Sequence, residues 1–111
     1  MSVKYKTLVV NHAIATGNID FPSMLVDGSN IMCTVNITAL NAADATVALH
    51  QSIDGSAWGL VPDSTITLST GQTSHTWNVR GLVKGAYLRV SLTKGSATLG
   101  TVADIKLLSG V

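Results

Sequence analysis

Thr46-Val-Ala-Leu-His-Gln-Ser-Ile-Asp-Gly-Ser-Ala-Trp58 and, further along, Ala86-Tyr-Leu-Arg-Val-Ser-Leu-Thr-Lys94 are the two stretches whose reading decides the fold. In the first, Val47, Leu49, Gln51 and Ile53 fall on one side of an extended chain, and Thr46, Ala48, His50 and Ser52 on the other. In the second, Leu88, Val90 and Leu92 oppose Tyr87, Arg89, Ser91 and Thr93. An apolar period of two means strands with one face buried. Between them Asp54-Gly55 makes a tight reversal, which delivers Trp58 to the margin of a sheet.

The same period recurs outward in both directions. Residues 3–10 read as a first strand, with a short extended piece at 12–15 and a turn at Thr16-Gly17-Asn18. Residues 19–26 are extended, and Pro22 confines them to an edge or a bulge because it has no N–H to give a ladder. After the Asp27-Gly-Ser-Asn30 reversal, residues 31–40 predict the longest alternation. Ile31, Cys33, Val35, Ile37 and Ala39 point inward there, and Met32, Thr34, Asn36, Thr38 and Leu40 outward. Residues 41–45 are too few to hold a helix and read as a loop crossing between sheets. Further strands are predicted at 64–69, 76–80, with Trp77 and Val79 sharing a face, and 101–108, separated by Pro62-Asp63, the polar loop 70–74, residues 81–85 and the Lys94-Gly-Ser96 turn. Short strands at such spacing, punctuated by Gly, Asn and Asp, predict an all-β domain over residues 1–111. The expected architecture is an antiparallel β-sandwich of about eight strands, jelly-roll-like.

A chain of 111 residues holds one domain with a real core. Charged residues make up 12% of it, against roughly 25% in a typical soluble domain. There is no glutamate, and Ser and Thr supply the polarity. A net charge of +1 gives the chain little electrostatic means of staying apart from its copies. A nucleic-acid partner is not expected, because no Lys/Arg face forms; Lys4 and Lys6 are the only close basic pair. A membrane partner is not expected either, as no apolar run approaches the ~18 residues a spanning helix needs. Leu8-Val9-Val10 is broken by Asn11 and His12, too short for a signal segment, so the protein is expected to be made in the cytoplasm. The single cysteine, Cys33, excludes an intrachain disulfide, and its alternation with Ile31, Val35 and Ile37 predicts a buried thiol.

No catalytic, cofactor-binding or metal-ligating constellation stands out. His12, His50 and His75 lack metal-ligand spacing. His50 with Asp54 and a nearby serine can be written as a triad, but no nucleophile elbow accompanies it. Asp27-Gly-Ser-Asn30 and Asp54-Gly-Ser56 resemble fragments of calcium loops without the further carboxylates, so turn chemistry explains both. Asn36-Ile-Thr38 matches a glycosylation acceptor but sits in mid-strand. The chain is therefore expected not to be an enzyme and to need no cofactor.

Function is expected on the surface. Met32 and Leu40 are predicted to point outward, and with Met24, Leu107 and Leu108 they form a candidate assembly surface, since contiguous exposed apolar side chains mark interaction sites. The aromatic residues Trp58, Trp77, Tyr5 and Tyr87 compete with it. Exposed, Trp58 and Tyr87 are candidate glycan contacts stacking on the apolar face of a sugar ring, while Trp77, alternating with Val79, reads as core.

The run Gln51-Ser-Ile-Asp-Gly-Ser-Ala-Trp58, then Trp77-Asn-Val79, Ala86-Tyr-Leu-Arg-Val90, the Lys94-Gly-Ser96 turn and a closing Ile105-Lys-Leu107 strand resembles small β-sandwich structural proteins of tailed-bacteriophage virions. It is also similar, more distantly, to discoidin-like sandwiches, where a Ser-x-Asp-Gly-x-x-Trp turn precedes a Tyr-Leu-Arg strand. The resemblance spans residues 51–107. It implies a virion subunit, a capsid decoration, auxiliary head or fibre-like protein, whose partners are copies of itself and other virion proteins. A trimer would suit lattice sites of threefold symmetry. The alternative expectation is a carbohydrate-binding, adhesin-like module.

Overall fold

The computed structural model describes residues 3–110, with side chains from 5 to 109, and its regular elements are almost all strands. In chain order they are β1 (Val3–Ala13), a 3-10 turn (Ile14–Thr16), β2 (Ile19–Asp20), β3 (Met24–Leu25), β4 (Asn30–Thr38) and β5 (Thr46–Ser52). There follow β6 (Gly59–Leu60), β7 (Ile66–Thr67), β8 (Ser74–Arg80), β9 (Tyr87–Thr93) and β10 (Thr101–Gly110). One sheet has the order β1-β10-β4-β8 and the other β2-β9-β5-β6. β3 follows β2 along the outer side of β9, and β7 accompanies β6 along the outer side of β5. Both edge strands of the second sheet are thus interrupted, at Pro22 and Pro62, because proline removes a ladder donor. With each interrupted strand counted once, eight antiparallel strands are arranged in the order of a jelly roll, the chain changing sheet at every connection except that from β5 to β6.

The core lies between the sheets. Ile31, Cys33, Val35 and Ile37 of β4 and Val102, Ile105 and Leu107 of β10 meet Val47 and Leu49 of β5 and Leu88, Val90 and Leu92 of β9. Trp77 reaches across from β8 and donates its indole N–H to the Ser64 carbonyl at 2.7 Å. The Ser64 hydroxyl accepts from the Leu49 amide and donates to the Leu49 carbonyl, both at 3.1 Å. These bonds satisfy buried polar groups and close the β8 side of the sandwich.

Four expectations are corrected at strand ends. β4 stops at Thr38 because Ala39 adopts a left-handed φ of 57°. That reversal exposes Ala39 and turns Leu40 into the core. β5 stops at Ser52, whose buried hydroxyl accepts the amides of Asp54 and Gly55, so Ile53 leaves the sheet and is 93% exposed. Residues 12–15 form no strand of their own. His12 and Ala13 continue β1 past a bulge at residues 9–12, where Asn11 has φ 44°, and Ile14 begins the 3-10 turn.

Candidate functional site

Among the described residues no three His, Cys, Asp or Glu side chains gather closely enough to hold a metal ion. His50 Nδ1 meets the Ser91 hydroxyl at 3.2 Å, whereas the Asp54 carboxylate accepts the Ser56 and Ala57 amides and the Ser52 hydroxyl. These bonds, the Ala57 amide foremost, hold the Asp54 carboxyl below the usual carboxylate range. Asp54 is the keystone of a turn, and His50 is satisfied by another strand. His75 lies edge-on to Trp77 at 4.8 Å, and burial pulls its imidazole below the ordinary value. The Cys33 thiol is buried and pushed up to about 12 by desolvation.

The outer face of the four-stranded sheet is organised in rows set by the strand register. Tyr5, Leu108, Met32 and Asn78 form one row, Thr7, Lys106, Thr34 and Thr76 the next, and Val9, Asp104, Asn36 and Ser74 the third. The lower rows are tied by the Thr34–Thr76 hydroxyls at 2.8 Å and by the Asn36 amide donating to Asp104. The first row is apolar and uncovered up to Asn78, with Tyr5 62%, Met32 44% and Leu108 38% exposed.

Met32 and Leu108 therefore stand where the sequence places them, on one face. Met24, Leu40 and Leu107 do not: all three are buried in the core and are withdrawn from the candidate surface. Leu107 and Leu108 are consecutive in one strand and must point to opposite faces. Met24, paired with Leu88, turns inward from the short β3. Tyr5 is the member of the surface that the sequence reading did not place; the alternation of Tyr5, Thr7 and Val9 carried the signal.

The outer face of the six-stranded sheet gathers the polar and aromatic side chains. The Arg89 guanidinium lies 4.1 Å from the centroid of the Trp58 ring and pairs with Asp20 at 3.3 Å. Arg89 thereby occupies one face of the indole. Tyr87, two residues away on the same strand, packs beneath the Asp54–Gly55 turn, with ring atoms 3.8 Å from the place of a Cβ on Gly55. At one end of the sandwich the exposed Ile53 and Val83 flank an open cleft of about 840 Å³ between the β5–β6 and β8–β9 connections.

No family model and no curated protein matches the chain. Solved structures do. A Bacillus endospore appendage protein, described as forming disulfide-linked pili, superposes with a TM-score of 0.57 at 13% identity over 99% of this chain and 89% of its own. The Eiger TNF of S. frugiperda gives 0.54 at 10% identity over 98% and 93%. A carbohydrate-binding module solved with β-1,4-galactotriose gives 0.40 at 12% identity over 97% and 83%. At such identities the first two likenesses speak to the fold alone: the chain is a β-sandwich.

Proposed function

We propose that this chain is a non-enzymatic structural subunit that works by assembling with copies of itself, and that its setting is the virion of a tailed bacteriophage. The role there is that of a capsid decoration, auxiliary head or fibre-like component. The observation that carries the reading is the uncovered apolar row Tyr5–Leu108–Met32 on an open sheet face. An apolar patch of this kind is unfavourable in water and favourable between two proteins. A chain with net charge +1 meets its copies without appreciable repulsion. Many weak contacts repeated over a lattice then give firm attachment. The pilus-forming appendage protein is a precedent for assembly on this fold, with one difference. Disulfide linkage is not the means here, because the chain's one cysteine is the buried Cys33.

Sedimentation velocity and light scattering across a concentration series test the reading. Growth of mass with concentration is expected, and Met32→Lys reduces it. A protein that stays monomeric at the highest attainable concentration overturns the reading. Glycan-array binding that disappears in a folded Trp58→Ala variant would install the carbohydrate-binding alternative in its place.

A further inference from the structure

We propose that β1 is the strand through which two copies join, edge to edge and antiparallel about Thr7, merging their four-stranded sheets into one continuous sheet. The inference rests on the assembly reading above and names its contact.

A sandwich has four sheet edges, and each exposes unpaired backbone N–H and C=O groups unless something blunts it. Both edges of the six-stranded sheet are broken into two-residue pieces, at Pro22 and at Pro62. The β8 edge is seven residues long and faces outward with Ser74, Thr76, Asn78 and Arg80. β1 alone is long, at eleven residues, with no proline and no bulge before Val9. Lysine on an edge strand ordinarily repels an incoming strand. Lys6 is withdrawn from that duty: its ammonium donates to the Leu25 carbonyl at 2.8 Å and pairs with Asp27 at 3.2 Å, across the gap to the other sheet. Residues 7–10, Thr-Leu-Val-Val, carry no charge and have high strand propensity.

The side chains fit a two-fold partner. With Thr7 opposite the partner's Thr7, Tyr5 stands beside the partner's Val9 and Val9 beside the partner's Tyr5. Both are the exposed apolar residues of the strand, at 62% and 68%. An aromatic beside a β-branched residue is among the favourable cross-strand pairs, and the symmetry supplies it twice. Tyr5 also heads the row that runs through Leu108 and Met32, so each copy's apolar row ends against the partner's Val9.

A Thr7→Cys variant, oxidised in dilute solution, is expected to form a disulfide-linked dimer, because antiparallel partners place Cα atoms about 4.5–5.5 Å apart, within disulfide reach. Thr76→Cys, also exposed and on the opposite edge of the same face, is the control and is expected to stay unlinked; buried Cys33 does not compete. Independently, Tyr5→Lys and Val9→Asp are each expected to weaken association by about tenfold, since each removes two cross-strand pairs. The double variant, which sets opposite charges across the axis, is expected to recover it. A wild-type protein that assembles while Thr7→Cys links no faster than Thr76→Cys, or whose double variant is no better than the singles, overturns this contact and leaves the assembly reading standing. A strictly monomeric wild type overturns both.

Discussion

The clasp between the β4–β5 and β9–β10 loops turns on Gly95, whose φ is +60° and whose missing Cβ would stand 2.7 Å from the Asp44 carboxyl. Asp44 accepts the Ser96 amide through both oxygens at 3.0 Å and its hydroxyl at 2.9 Å, and these bonds hold its carboxyl below the usual range. Gly95→Ala must therefore move the loop and adopt a strained φ, with an expected loss of about 1–3 kcal/mol in urea unfolding. A change within experimental error would show that the clasp yields freely. A second contrast lies on β10. Leu107 is 1% exposed, and its truncation to Ala is expected to cost about 2–5 kcal/mol through lost burial and a cavity. Leu108→Ala is expected to cost under about 1 kcal/mol while weakening assembly, since its side chain stands on the open face. Equal losses at the two positions would contradict the facing assigned to β10.

Elements were legible in the residues wherever a strand runs unbroken. The facing of β9 follows from Leu88, Val90 and Leu92 alone, and that of β4 from Ile31, Cys33, Val35 and Ile37. The same rule misplaced Leu40 and Ile53, because alternation says nothing of where a strand stops. The stop at Thr38 depends on a left-handed alanine, which no propensity favours, and the stop at Ser52 on a side-chain hydroxyl that captures the amides of Asp54 and Gly55. Two of the five candidate surface residues were lost for this kind of reason: Met24 and Leu40 lie next to breaks in the ladder. The pairing of strands from distant parts of the chain, which brings Tyr5 to Leu108 and Met32, is not local information at all. The strain at Ala39 is itself testable. Ala39→Gly relieves a conformation that costs an L-residue about 1–2 kcal/mol and gives back part of that as unfolded-chain entropy. A net gain of up to about 1 kcal/mol is expected in denaturant unfolding, and a loss would mean that the alanine methyl, though exposed, packs to some effect.

For the molecule as a whole, three kinds of titrating group impose limits on the pH range of stability. Burial holds His75 below its ordinary value near 6.5. As pH falls through that value, the unfolded chain takes up a proton that the folded chain refuses, so stability declines toward acid. Asp44 and Asp54, held low by amide hydrogen bonds, add a second decline as pH falls through about 4, where the unfolded carboxylates protonate first. Cys33 acts on the other side. Its folded thiol is pushed up to about 12, while the unfolded thiol ionises near 8.5. As pH rises past that point the unfolded state loses a proton that the folded state keeps, and stability falls again, by about 2 kcal/mol at pH 10. Unfolding free energies measured in urea under reducing conditions are expected to form a plateau between about pH 6.5 and 8.5. His75→Phe, which keeps an aromatic edge against Trp77, should extend the plateau toward acid, and Cys33→Ala should flatten the alkaline arm even though it lowers the whole curve. An acid arm unchanged by His75→Phe would assign that decline to other groups, and an alkaline arm that survives Cys33→Ala would likewise assign it to groups other than the thiol.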